Sequence, residues 1–167
     1  MRTISRVIVA GLVATAVFTL YSTLWFAAAG EGFWRPINLV AHTLWRGAPT
    51  DGGFHLGAAL LGLVVLAVAG VLVMVPYAWL TVQAGTRGLF LILGAAVYAN
   101  VVWIFGHYLV WNGVDPLAAG EYDHGVAWVG HMLAGLAGGT ALALTHTTDP
   151  RPRTARERAQ DQAEVGL

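Results

Sequence analysis

The sequence predicts an all-α integral membrane protein with four transmembrane helices. Hydrophobic residues make up 57% of the chain, charged residues only 11%, and the mean hydropathy is +0.64. Soluble domains carry roughly 25% charged residues, so this chain has too few to cover a water-facing surface. Four apolar segments lack Asp, Glu and Arg, and each reaches the roughly 20 residues that a membrane-spanning helix needs. They are Val7–Ala29, Phe54–Val82, Gly88–Trp111 and Gly125–Thr145.

The first apolar segment also shares features with a secretory signal peptide. Arg2 and Arg6 precede it, and it ends in three alanines, residues 27–29, which are typical of a cleavage site. It is longer than the usual hydrophobic core of about 7–15 residues, however, and it contains a polar run at residues 21–23. We therefore expect this segment to be retained as the first transmembrane helix.

The arginines predict that both termini face the cytoplasm (N-in/C-in). With the N-terminus inside, seven of the nine basic residues lie on the cytoplasmic side, as the positive-inside rule requires. These seven are Arg2, Arg6, Arg87, Arg151, Arg153, Arg156 and Arg158, and the two outside are Arg35 and Arg46. We expect residues 1–148 to form the transmembrane domain and residues 149–167 to form a polar cytoplasmic tail.

The two outer loops differ in their predicted structure. Within the first, Ile37–Trp45 is expected to form a short helix that begins after Pro36, because proline is favoured in the first turn of a helix. This helix would lie along the membrane surface or enter the membrane as a re-entrant segment. The second loop, Asn112–Asp123, is acidic and contains Pro116.

Small residues indicate where the helices pack. Gly135 and Gly139 form a GxxxG pair in the fourth helix, and Ala58 and Gly62 are spaced in the same way in the second. Helices in lipid associate through close backbone approach, which such residues permit. The pattern predicts a tight bundle with little room for a large cavity.

Histidines are concentrated toward the predicted outer side. His107 and Asn100 lie on one face of the third helix, while His124 begins the fourth helix and His131 lies two turns along it. Polar residues inside the hydrocarbon region normally face the bundle interior, so we expect His107 and His131 to lie close together in an inward pocket with Gly106. The alternative is that these histidines are hydrogen-bonded packing residues or interfacial anchors.

A second set of polar residues surrounds the first outer loop. Asn38 and His42 are four residues apart and share one face of the short helix, and His55 follows at the start of the next apolar run. Amide oxygen and imidazole suit copper and zinc, and the absence of cysteine excludes thiolate sites. Asp51 and Asp123 are the carboxylates expected to orient the imidazoles.

This segment resembles one in a known enzyme family. The spacing of Asn38, His42 and His55 before a Gly/Ala-rich run is similar to the copper-site segment in the C subunit of particulate methane and ammonia monooxygenases. The resemblance covers about 27 residues and implies that these three side chains are copper ligands. The stretch also resembles a motif, Asn-x-x-x-His-x-x-Trp followed by Gly, in small uncharacterised four-helix bacterial membrane proteins, although Arg46 intervenes here before Gly47.

Three functions are compatible with these observations. In the first, the chain has an outward-facing copper or zinc site and is a subunit of a membrane redox or monooxygenase complex. The second is a b-type cytochrome, with haem b between His107 or His55 and His131. The third is an accessory subunit without a cofactor. We expect a bacterial inner-membrane location, with lipid and other membrane subunits or further copies of the chain as partners. Nucleic-acid binding is not expected, because the only arginine cluster is a short tail with interspersed acids.

Overall fold

The computed structural model describes residues 3–147, so the predicted tail, residues 149–167, lies outside the described part of the chain. Regular structure in this part is helical. The helices are α1 (Thr3–Ala28), α2 (Arg35–His42), α3 (Leu56–Gln83), α4 (Gly88–Phe105), α5 (Asn112–Val114), α6 (Pro116–Glu121) and α7 (His124–Thr147), and a π-helical segment, Gly106–Trp111, joins α4 to α5.

Four helical spans in residues 3–147 are long and apolar enough to cross a membrane. They are Ile4–Ala28, Leu56–Gln83, Gly88–Val114 and His124–Thr145. The prediction of an all-helical chain with four such spans is therefore confirmed. The longer connections, residues 29–55 and 112–123, lie at one end of the bundle, which we call the cap end. The tight connection between α3 and α4 lies at the opposite end, where Gly85 and Gly88 adopt positive φ values of 62° and 57°.

Small residues hold three pairs of long helices together. Helix α1 packs against α3 and α7, and α7 packs against α4. At the α4–α7 contact, a Cβ atom built on Gly135 would lie 2.6 Å from the carbonyl oxygen of Ala95, so only glycine allows this approach. Gly11 packs equally closely on Val71 of α3. The predicted contribution of small residues to helix packing is visible at these positions.

Helices α3 and α4 are the exception, since they contact each other much less than they contact α1 and α7. Two tyrosines bridge them in the half away from the cap: Tyr77 donates to the Leu91 carbonyl, and Tyr98 donates to the Val73 carbonyl at 3.0 Å. Toward the cap end the two helices separate and leave a cavity. The expectation of a tight bundle with little room for a large cavity is thus wrong in this half, because the small residues lie on other helix pairs.

Helix α2 packs into the cap end against α1, α3 and α6. The helix ends at His42, three residues before the predicted end at Trp45. Six of its eight residues are buried, and Gly62 of α3 accommodates the carbonyl oxygen of Ile37 at a distance that no side chain would permit. In the second connection, α5 and α6 occupy most of residues 112–123.

Candidate functional site

The carboxylate of Asp115 joins the two connections at the cap end. Asp115 is only 1% exposed and immediately precedes α6, where its Oδ1 accepts a hydrogen bond from the Ala118 amide at 3.2 Å. His42, at the end of α2, lies 2.7 Å from Oδ2 through its Nδ1. Arg46 lies 2.7 Å from Oδ1 through its Nη1. We call this group of Asp115, His42 and Arg46 the clasp.

The clasp favours the ionised form of Asp115. Burial alone would raise the pKa of the carboxyl group, because it disfavours charge. The hydrogen bonds from His42 and the Ala118 amide, together with the charges of His42 and Arg46, outweigh burial and hold the pKa below its ordinary value. An ionised carboxylate can only accept hydrogen bonds, so Nδ1 of His42 is the donor.

Further polar contacts cross the cap. Arg46 donates to the carbonyl oxygen of Val114, and the indole Nε1 of Trp111 donates to Thr43 Oγ1 at 2.8 Å. Arg35 pairs with Glu31 and, at 3.1 Å, with Glu121. These contacts link the segment around α2 to the segment around α6, so the cap is held at several points.

The predicted metal-site residues lie at the same end but have different partners. Asn38 is fully buried and donates through Nδ2 to the carbonyl oxygens of Asp51 and Gly53 at 2.9 and 3.0 Å. It therefore fixes the loop that precedes α3, and its Oδ1 has no hydrogen-bond partner within residues 3–147. His55 lies 2.9 Å from Asp51 through Nε2, whereas His42 faces Asp115.

Asp51 orients His55 at the protein surface. The hydrogen bond from His55 is the main cause of the lowered pKa of Asp51, followed by the Gly53 amide, which donates to Asp51 Oδ1 at 2.7 Å. Asp123, the other carboxylate expected beside an imidazole, instead accepts from the Val126 amide at 2.8 Å and caps the start of α7.

Metal binding at this end stays a prediction. In the part of the chain that the structure describes, no three His, Asp or Glu side chains form a group that could hold a metal ion. Each of the two imidazoles has one ring nitrogen bonded to a carboxylate, which is the arrangement usual for metal-bound histidines. His42 and His55 are thus oriented as metal-binding histidines usually are, but no third acidic or imidazole donor joins them among the described residues.

The largest feature near the predicted pocket is a cavity of about 310 Å³ below the cap. Its walls come from α1, α2, α3, α4, the π-helical segment, α5 and α7, and they include Gly106, His107 and His131. A second cavity of about 130 Å³ continues toward the middle of the bundle. Both cavities share the side chains of Phe18, Leu66, Ala69, Val102 and His131.

His107 is presented by the π-helical segment and is 5% exposed. Its ring contacts that of His124, with centroids 4.7 Å apart, and is stacked near Trp103 at 6.1 Å. Among the described residues, neither Nδ1 of His107 nor Nε1 of Trp103 has a hydrogen-bond partner, although both atoms are buried. π-helical turns often occur at functional sites, and this one carries His107, whose side chain is part of the cavity wall.

His131 has a defined hydrogen-bonding pattern. Its Nδ1 lies 2.7 Å from the Ala127 carbonyl oxygen and must donate to it, so the neutral ring leaves Nε2 as an acceptor. The ring also packs edge-on against Phe18, with centroids 4.8 Å apart. Asn100, expected on the same face as His107, is not part of either cavity wall and donates to Ala96 within its own helix at 2.9 Å.

Several residues of this site were missed by the sequence reasoning. Asp115, Trp103 and Tyr122 were not singled out, and Arg46 was noted only as an outer arginine and as an interruption of the motif before Gly47. Asp115 followed by Pro116 is a helix-start pattern, with a capping side chain before a first-turn proline, and this pattern could have identified α6. Nothing local in the sequence indicates that Asp115 pairs with a histidine 73 residues away.

Comparison of the chain with protein-family models, curated proteins and solved structures finds no match. The contacts within the chain are therefore what points to its function.

We expect Asp115→Asn to loosen the cap. The amide cannot replace the charge that faces His42 and Arg46, and hydrogen bonds to charged groups contribute about 1.5–3 kcal/mol. The free energy of the local opening that exposes the Ala118 and Ala119 amides should therefore fall by about 2–3 kcal/mol, and their hydrogen exchange should become faster accordingly. Asp51→Asn is the matched control, because Asp51 has a side chain that is 63% exposed, and it should leave these two amides unchanged.

The same contact predicts a pH dependence. The pKa of Asp115 is lower in the folded state than in the unfolded state, so its stabilisation is fully present at neutral pH. It should be lost as the pH falls below about 4 and through the folded-state value. If Asp115→Asn left cap exchange unchanged at neutral pH, the clasp would not be what holds the cap.

Proposed function

We propose that this chain is a multi-pass membrane protein that binds a lipophilic small molecule in the cavity below the cap. The observation that carries this proposal is a mostly apolar cavity of about 310 Å³ below the cap, which lies between α3 and α4 and has the side chains of Trp103 and His107 in its wall. Ligand sites are typically concave, mostly apolar and of about 300–1,000 Å³, with a few polar groups that orient the ligand.

The polar side chains of the wider cavity lie toward the cap end. Its wall includes Thr43, His107 and Tyr122, whereas the wall of the second cavity consists mainly of apolar side chains such as Met74, Ala99 and Val73. An occupant with one polar end and one apolar end matches this distribution.

The bilayer is the proposed entry route. Val40 from α2, Thr43 directly after it and Val114 from α5 form the cap-end wall, which the clasp and the Trp111–Thr43 hydrogen bond hold in place. On the side between α3 and α4, the wall residues Ala69 and Val110 are exposed. Because these helices separate there, a molecule dissolved in the lipid would reach the cavity sideways.

The proposed orientation keeps both termini in the cytoplasm and places the cap outside, in a bacterial inner membrane. It is supported by the arginine distribution, seven against two among nine basic residues. The chain has no cysteine, so single-cysteine variants are clean reporters. An impermeant maleimide added to intact cells should label Gly120→Cys, near the cap, and should not label Thr86→Cys. The reverse pattern would contradict the orientation.

We expect native mass spectrometry of the protein, released from native-lipid nanodiscs, to show one bound molecule that is not a phospholipid. Gly106→Leu should reduce its occupancy about fivefold or more, because a side chain at Gly106 meets no atom within 4 Å and would extend into the cavity. Gly113→Leu is the matched control, since Gly113 also has open space around it but does not line either cavity. Equal occupancy in both variants, or no bound molecule in any of them, would contradict the proposal.

Binding of copper or zinc by Asn38, His42 and His55 is a second candidate function. It is supported by the two carboxylate–imidazole pairs and by the buried Oδ1 of Asn38, which lacks a hydrogen-bond partner within residues 3–147. Such an ion would supply Lewis-acid or, for copper, redox chemistry at the cap. Haem b near His107 and His131 has less support, because His107 is already in contact with the His124 ring.

We expect His55→Ala to abolish this metal binding if the second candidate is correct. It is cleaner than His42→Ala, because His42 also holds Asp115. Metal content should be measured by elemental analysis after incubation with Cu(II) or Zn(II) and removal of free ion. His124→Ala, which removes an exposed histidine outside the proposed ligand set, is the control. Unchanged metal content in His55→Ala would remove the candidate, and a Soret band in the purified protein would favour haem instead.

A further inference from the structure

We infer that the ligand of the cavity is a neutral lipophilic molecule with a hydroxyl group, and that this hydroxyl donates a hydrogen bond to Nε2 of His131. The inference rests on the proposed function, because it names the polar group that the same cavity recognises. Three observations support it: the fixed proton of the His131 ring, the access to its second nitrogen, and the lack of charge in the cavity walls.

The proton of the neutral His131 ring is held on Nδ1. This nitrogen lies 2.7 Å from the carbonyl oxygen of Ala127, one turn earlier in α7, and a carbonyl oxygen can only accept. Nδ1 must therefore donate, and Nε2 carries the lone pair. The ring is also packed edge-on against Phe18, with centroids 4.8 Å apart. Turning the ring over would break the bond to Ala127, so Nε2 of His131 is a fixed acceptor.

Nε2 of His131 is open, whereas the unpartnered nitrogens near it are sealed. It has no hydrogen-bond partner within residues 3–147, but it is accessible to a water-sized molecule. Trp103 Nε1 and His107 Nδ1 are buried from such a molecule, so a ligand in the cavity cannot bond to them. The His131 side chain is part of the wall of both cavities. A ligand that satisfies its lone pair must bring a hydrogen-bond donor.

His131 lies where the two cavities meet. The other side chains that belong to both walls are apolar: Phe18, Leu66, Ala69 and Val102. Three hydroxyl groups elsewhere in the walls are already hydrogen-bonded within the protein, those of Thr15, Thr43 and Tyr98. A hydroxyl bonded to His131 would therefore lie at this junction, with the apolar part of the molecule among apolar side chains.

The walls contain no group that would balance a charge on the ligand. No Arg, Lys, Asp or Glu of the described residues lines either cavity. A phosphate, carboxylate or ammonium group would lie there without a counter-charge, and burying an unpaired ion is strongly unfavourable. The donor must therefore belong to a neutral group, as it does in an alcohol or a phenol.

The test compares two tritiated probes in nanodiscs of a synthetic phosphatidylcholine: octylphenol, which has a hydroxyl donor, and octylanisole, its methyl ether, which has none. Binding to empty nanodiscs is subtracted. His131→Phe keeps a ring and removes the acceptor, whereas His131→Gln keeps an oxygen acceptor on the side chain. His55→Phe is the matched control, because His55 lines neither cavity.

We expect His131→Phe to weaken octylphenol binding about tenfold, the loss of one hydrogen bond, and to change octylanisole binding less than twofold. His131→Gln should restore part of the lost affinity, and His55→Phe should change neither probe. In the unaltered protein, the ¹⁵N signal of His131 Nε2 should move upfield when octylphenol binds and stay in place with octylanisole. This shift checks the hydrogen bond without any substitution.

The outcomes separate this inference from the function on which it rests. If both probes bind with equal affinity, His131→Phe affects neither, and Gly106→Leu weakens both, the cavity takes a lipophilic molecule without a donor and the inference is wrong. It is also wrong if the Nε2 signal does not respond to octylphenol, because water or nothing then occupies the acceptor. If neither probe binds, or Gly106→Leu leaves the binding of both unchanged, the proposed function fails as well.

Discussion

The cap end of this protein depends on one buried carboxylate. Asp115 is 1% exposed, and an ion in such a place must be paired and hydrogen-bonded. Its partners come from both connections: His42 and Arg46 from the first, and the Ala118 amide from the second. Satisfying this single group therefore fixes α2 relative to α6. It also closes the cap-end side of the cavity, because Thr43 and Val114, next to two of these residues, are part of the cavity wall.

The cavity itself results from unequal helix packing. Close approach through glycine holds α1 against α3 and α4 against α7, whereas α3 and α4 are joined mainly by the hydrogen bonds of Tyr77 and Tyr98. Beyond these tyrosines the two helices separate, and the π-helical segment turns His107 into the space. A bundle packed equally on every side would have no such opening. The same arrangement places the side chains of Trp103 and His107 in the cavity wall.

The sequence predicted the spans well because apolar length is a strong, local signal, and the small residues of α7 lie where close packing is observed. It also predicted α2 from Pro36, although the helix ends at His42. The site was harder to predict. The partner of His42, Asp115, lies 73 residues away, and no local pattern connects them. Asp51, which is close in sequence, was therefore expected to orient the imidazoles of this site, but it pairs with His55 and not with His42. The π-helical register and the separation of α3 from α4 depend on tertiary packing, which no local pattern records.

An experimental density map of the protein in native-lipid nanodiscs would test the central claim most directly, namely that the cavity below the cap is a ligand site. The account predicts non-protein density between α3 and α4 next to the π-helical segment, with a narrower extension past Phe18 toward Met74. A cavity collapsed by contact between α3 and α4 along their full length, or filled by the protein's own side chains, would contradict it.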